Sequence, residues 1–248
     1  MLYCLDRPFH EMVKQLPIAP TRYVEILDEG THTLSRQRVM ILKEAAKSYG
    51  LWYSVHAPFA DINIAATSQP LLAAMVRRLK KSLEHSSMLE ANMWVFHAGM
   101  ASLFYPQQDW KQNMKTIKML SKAADDYGLD IALENVPEPF PFLMKSVEDF
   151  RKFYADSGLD IGIALDVGHS NVNKQTAMFL KVFFKKIVHV HASDNRGERD
   201  EHLGIGFGVT DWTEVAEQFK KKRYGGSIVV ESVEHVSESV EILRRLFS

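Results

Sequence analysis

Apolar and polar positions follow one rhythm along this chain, in which short apolar runs alternate with longer amphipathic stretches. Runs rich in Val, Ile, Leu and aromatic residues recur at 2–5, 22–27, 51–56, 93–97, 130–134, 161–166, 186–191 and 226–231, each the length of an ordinary β-strand. Between them apolar residues return at helical spacing, as in Leu71, Met75, Leu79 and Leu83 or in Val236, Val240, Leu243 and Phe247. Tyr49-Gly50-Leu51, Tyr127-Gly128-Leu129, Ser157-Gly158-Leu159 and Tyr224-Gly225-Gly226 then read as helix ends passing into strands, because glycine accepts the left-handed conformation that stops a helix.

The last residues of six runs, His56, His97, Glu134, Asp166, His191 and Glu231, lie roughly 25 to 40 positions apart, about the length of a βαβ unit. Eight such units predict an α/β chain with residues 1–248 forming a single (β/α)8 TIM barrel, whose site lies at the C-terminal ends of its strands. An open doubly wound sheet is the alternative, but no Gly-rich phosphate turn follows the first run. Strand alternation then turns Ser54, Val95, Ala132, Ala164, His189 and Val229 into the barrel, and Leu133, Leu165 and Val190 out toward the helices. His189 reads as an interior residue, and His10, His32, His85 and His235 as surface or helix residues.

Composition narrows the chemistry. With 248 residues, 46% apolar, 25% charged and a net charge of −1, the chain has an ordinary globular balance and no global field to recruit nucleic acid or an anionic membrane. Cys4 is its one cysteine, which excludes an intrachain disulfide and limits thiolate ligation, and a cytoplasmic protein is expected. No apolar stretch approaches a membrane span.

A carboxylate or imidazole at the end of so many apolar strands calls for a cation, since buried charges are costly unless paired. Glu134, Asp166, His191 and Glu231 form the expected metal set. Three converging carboxylates would otherwise repel one another, and the mixed oxygen and nitrogen donors suit Mn, Zn, Co or Mg. His56, His97, His169, Asp200 and His202 are further candidates, as metal ligands or as substrate contacts. Asp200 and His202 precede Gly204-Ile205-Gly206-Phe207-Gly208, a loop whose glycines allow close backbone approach.

The phrases His-Ala-Pro-Phe at 56–59, Glu-Asn at 134–135, Asp-Val-Gly-His at 166–169, His-Ala-Ser-Asp-Asn at 191–195 and Asp-Glu-His-Leu-Gly-Ile-Gly-Phe-Gly at 200–208 resemble the xylose-isomerase-like superfamily over almost the whole chain. That superfamily includes sugar and sugar-phosphate isomerases and epimerases and the repair enzyme endonuclease IV. The isomerase branch implies one divalent metal on Glu134, Asp166, His191 and Glu231. It also implies proton exchange by Glu134 and Glu231 through an enediolate, with His169 and Arg196 holding substrate oxygens and His56 and His97 beside the carbohydrate. The repair branch implies three zinc ions on His56, His97, Glu134, Asp166, His169, His191, Asp200, His202 and Glu231, acting on abasic DNA. Phe207 stands where the family usually carries Glu. The loops after the early strands carry almost no basic residues, so a small carbohydrate is the expected partner and nucleic acid the alternative. A third reading is a noncatalytic metal- or sugar-binding barrel. Pairing of the chain with itself stays open.

Overall fold

The computed structural model describes residues 1–248 and contains seven parallel strands: β1 Tyr23–Leu27, β2 Trp52–His56, β3 Trp94–His97, β4 Ile131–Glu134, β5 Gly162–Asp166, β6 Ile187–Ala192 and β7 Ser227–Val230. They are laced in chain order from β1 to β7 and curl into a nearly closed barrel. Helices α1 Phe9–Gln15, α2 Arg36–Tyr49, α3 Gln69–Met88, α4 Pro106–Tyr127, α5 Val147–Ser157, α6 Val167–Val172, α7 Thr176–Val182, α8 Trp212–Lys221 and α9 Val236–Phe247 complete the α/β TIM barrel.

The expected strand at 2–5 is absent. Leu2–Cys4 is a 3-10 turn whose backbone bonds run locally, Leu5 N–H to the Leu2 carbonyl at 2.9 Å and Arg7 N–H to that of Cys4 at 2.9 Å. Those donors are therefore lost to any ladder, and Asp6-Arg7-Pro8 leads at once into α1. No ladder joins β7 to β1. The nitrogen of Met1 instead donates to the Glu25 carbonyl oxygen, and a cavity of about 250 Å3 lined by Tyr3, Tyr23, Glu25, Val229 and Val240 occupies the seam.

Helix ends follow local chemistry. Gly50, Gly128 and Gly158 take the left-handed conformation that stops α2, α4 and α5. The expected stop at Gly225 is not used: α8 ends at Lys221 and Arg223 supplies the positive φ of 54°. In α3, Leu72 is buried with Leu79 and Leu83, whereas Leu71 faces solvent.

Leu133, Leu165 and Val190 pack outward into the main core with the helices. Inside, Val95, Ala132 and Ala164 form a separate apolar cluster against Met93 and Val188. Ser54, Val229 and His189 are buried as the alternation requires, and Glu25 on β1 joins them. Of the residues expected at the surface or on helices, His85 lies on α3 but is buried; His32 is buried too, its Nε2 donating to the Arg7 carbonyl oxygen at 2.8 Å.

Candidate metal centre

Strand register brings the candidate residues to one level. His97 lies opposite Glu134, and Asp166 opposite His191. Glu231 follows β7, with its N–H bonded to the Ala192 carbonyl at 3.0 Å. Asp166 also caps α6, its Oδ1 accepting the His169 N–H at 2.6 Å, so one carboxylate ends a strand, starts a helix and faces the cavity. Asn135 locks β4 to β5, accepting the Asp166 N–H at 2.8 Å and donating to the Asp166 carbonyl at 3.0 Å.

Glu134, Asp166, His191 and Glu231 are all buried, and each offers a ligand atom within 4.8 Å of the others. His191 Nδ1 lies 3.1 Å from Glu134 Oε1 and 3.5 Å from Glu231 Oε2. The second oxygen of Glu134 faces a different group: Oε2 is 3.1 Å from His56 Nε2 and 3.0 Å from His97 Nε2. His169, Asp200 and His202 form the third group, with Asp200 Oδ2 3.2 Å from His169 Nε2 and 3.1 Å from His202 Nε2. The last two ligands come from the loop after β6, which folds back through paired Asp194–Leu203 backbone bonds of 2.9 and 2.8 Å. Asp194 holds that loop by accepting the N–H groups of Gly206 and Thr210. Gly208 is required there, because a Cβ would lie 2.3 Å from the Asn195 carbonyl oxygen.

Three of the imidazoles have one ring nitrogen fixed by a backbone carbonyl. His56 Nδ1 donates to the Ala57 carbonyl at 2.8 Å, His169 Nδ1 to that of Asn135 at 2.8 Å, and His202 Nδ1 to that of Glu231 at 3.0 Å. A ring nitrogen facing a carbonyl must carry the hydrogen, so the Nε2 lone pair of each points into the cavity once the ring is neutral. Asp166 Oδ2, Asp200 Oδ1 and His97 Nδ1 are buried without hydrogen-bond partners, a condition a polar interior relieves with an ion or water.

Burial and neighbouring charges set the proton affinities of these groups. Burial is the strongest influence on Asp166, and together with the charges of Glu134, Glu231 and Asp200 it outweighs His169 and pushes the carboxyl up to about 7. On His169 and His202 burial opposes the charged form, but Asp166 and Asp200 raise the former to about 10, and Asp200 foremost raises the latter to about 9. A divalent cation would take the place of those protons, and the oxygen-and-imidazole donor set fits one.

Arg196 is not brought into these groups; its side chain is 64% exposed and is paired with Glu201. Glu25 is the residue that the strand-end pattern misses. It sits two positions before Leu27, at the end of β1, so its signal was a lone carboxylate at an inward-facing position of an apolar run.

Residues 20–246 match the model of the xylose isomerase-like TIM barrel family. The chain belongs to this family. The xylose isomerase-like barrel described here is 33% identical over 229 residues to the uncharacterized protein MJ1311 of Methanocaldococcus jannaschii, covering 89% of this chain and 78% of that protein. The crystal structure of a D-tagatose 3-epimerase-like protein superposes with a TM-score of 0.85 at 32% identity, over 91% of this chain and 88% of that one. A D-allulose 3-epimerase from Methylomonas sp. shares the fold, with a TM-score of 0.82 at 16% identity over 97% and 93% of the two chains. Structural neighbours of this xylose isomerase-like barrel are thus sugar epimerases, and no helix in it is long and apolar enough to cross a membrane.

Proposed function

We propose that this barrel is a divalent-metal-dependent isomerase or epimerase of a small sugar or sugar phosphate. The observation that carries the reading is the convergence of Glu134, Asp166, His191 and Glu231 on one buried point, in a chain similar to a D-tagatose 3-epimerase-like protein. Those four residues would hold the cation. When bound, it supplies Lewis-acid stabilisation of negative charge developing on substrate oxygen.

Glu134 and Glu231 approach the cavity from separate strands, β4 and β7, and can act on opposite sides of a carbonyl-bearing carbon skeleton. One carboxylate accepts the proton from the carbon beside the carbonyl, and the electron pair moves onto oxygen as an enediolate. The other carboxyl returns a proton, to the neighbouring carbon for an isomerase or to the opposite face for an epimerase. His169, fixed through Nδ1 by the Asn135 carbonyl, presents Nε2 to substrate oxygens, with His56 and His97 beside it. Arg196 would join them only by exchanging Glu201 for substrate.

The test is a panel of ketoses and their phosphates in deuterated water, with product formation followed in parallel. Wild type should place deuterium at the carbon next to the carbonyl. Glu134→Gln and Glu231→Gln should lose turnover by about 10²–10⁴-fold, the usual contribution of a positioned acid or base, even with metal supplied in excess.

A second reading has its own observation: His56, His97 and Glu134 form one further three-ligand group, and His169, Asp200 and His202 another. Three divalent ions would turn a net negative set of four carboxylates into a net positive one, suited to a phosphodiester. Elemental analysis separates the two. One ion per chain with isomerisation supports the sugar enzyme; three ions, with Glu134-dependent cleavage of abasic DNA and no deuterium exchange, overturns it.

A further inference from the structure

We infer that Glu25 is a positioning residue for His191, fixing the ring so that Nδ1 is the nitrogen offered to the cation. This inference rests on the metal reading above. Three of the site's histidines have their far nitrogen tied to a backbone carbonyl: His56 to Ala57, His169 to Asn135 and His202 to Glu231. His191 is different. It lies on β6, which is paired on both sides in the sheet, and its far nitrogen faces the barrel axis. There Nε2 meets Glu25 Oε1 at 2.8 Å, with both side chains fully enclosed.

The carboxylate is itself held. Ser54 Oγ donates to Glu25 Oε2 at 2.7 Å, and His189 Nε2 lies 3.0 Å from the same oxygen. His189 Nδ1 is in turn 2.7 Å from Ser227 Oγ. A polar line therefore runs from Ser227 through His189 and Glu25 to His191 and the ligand cluster. The approaches of Glu25 Oε1 to His191 Nε2 and of Glu25 Oε2 to His189 Nε2 are oblique for hydrogen bonds, since both ring nitrogens and Oε1 are left without well-formed partners. The influence on His191 is thus that of a close negative charge in a dry interior, where Coulomb interactions are strong. Such a charge favours the hydrogen on Nε2, leaves the Nδ1 lone pair free and makes it a better donor. Carboxylates behind metal-bound histidines act in this way, and their loss typically weakens metal binding about 10–100-fold.

The experiment uses the full chain, zinc titrated against a competing chelator, and the visible absorption of the cobalt(II) form. Glu25→Gln, similar in shape but uncharged, should fold and weaken zinc binding about 10–100-fold. Its cobalt spectrum should shift, and Glu25→Asp should recover part of the affinity. If Glu25→Gln does not fold, His189→Gln carries the test: it removes one tether of the carboxylate and should weaken zinc several-fold. A folded Glu25→Gln, or in its place His189→Gln, with wild-type affinity and spectrum overturns the positioning role alone. So does a wild type that binds one more zinc than both variants while the remaining sites keep their affinity, because Glu25, His189 and His191 would then be a metal site themselves. A wild type that takes up neither zinc nor cobalt overturns the metal reading, and the positioning role with it.

Discussion

Beneath Glu134 and Asp166 the barrel interior consists of Ala132 and Ala164, packed with Val95; beneath His191 it consists of His189, held to Glu25 and through it to Ser54. Both halves are sealed from solvent, yet they act on the ligands above in opposite ways. The apolar half offers no partner to Asp166 Oδ2, and burial with the nearby carboxylates raises the proton affinity of the group. The polar half places a carboxylate 2.8 Å from His191 Nε2. On the proposed metal reading, a cation would relieve an unpartnered carboxylate on one side and meet an imidazole backed by a carboxylate on the other.

The comparison can be broken most directly by removing one ligand from each half. Asp166→Ala combined with His191→Ala should leave the protein without bound divalent ion by elemental analysis, after preparation with metal and no chelator. Equal metal content in wild type and double variant would refute the shared centre. Next in size is the effect of withdrawing the ion from intact protein. A ligand that binds only the folded state stabilises by about 2.7 kcal/mol at one hundred times its dissociation constant, so chelation of metal-loaded protein should lower the thermal midpoint. An unchanged midpoint would mean that the cation is not a stabilising element.

The two halves should also separate under mutation. Val95→Ala deletes two buried methyl groups from the apolar cluster and should cost roughly 2 kcal/mol of stability, read by denaturant unfolding of the metal-free protein. Its zinc affinity should stay near wild type, because Val95 belongs to the apolar cluster with Ala132 and Ala164; a tenfold loss there would erase the distinction. The smallest effect is a pH slope. Asp166 in the fold titrates at about 7, above its ordinary 3.8, so the stability associated with its protonated form is complete below about 4 and is lost as pH rises through 7. His202 and His169, raised to about 9 and about 10, continue the same trend: their contribution is complete below about 6.5 and is lost through 9 to 10. Above about pH 6.5, where the groups of lowered pKa are already in their stabilising forms, metal-free protein should weaken toward pH 10, and Asp166→Asn should flatten the part of the curve around pH 7. Metal affinity should rise with pH over the same span, because the ion displaces those protons.

Much of the site was legible because its ligands stand at strand ends, where a charge interrupts an apolar run and alternation assigns the face. Glu134, Asp166, His191 and Glu231 were readable on that ground, and the three-residue step from Asp166 to His169 became the first turn of α6. What escaped had no such punctuation. Glu25 lies inside its run, Leu2–Cys4 has strand composition but the carbonyls of Leu2 and Cys4 accept local turn bonds, and the burial of His32 and His85 depends on tertiary neighbours. Arg196 was named as a substrate contact through the family resemblance alone, and the loop pairs it with Glu201.

Glu134 divides its two oxygens between different partners, Oε1 toward His191 and Oε2 toward His56 and His97. Electron density drawn to a cation on one oxygen is no longer offered by the other, so two cation positions meeting at this carboxylate cannot fill independently. Whatever factor the first ion imposes on the affinity of the second, the second imposes on the first. If both positions bind metal, this single shared side chain would make the loading curve a property of the pair of positions and not of either one.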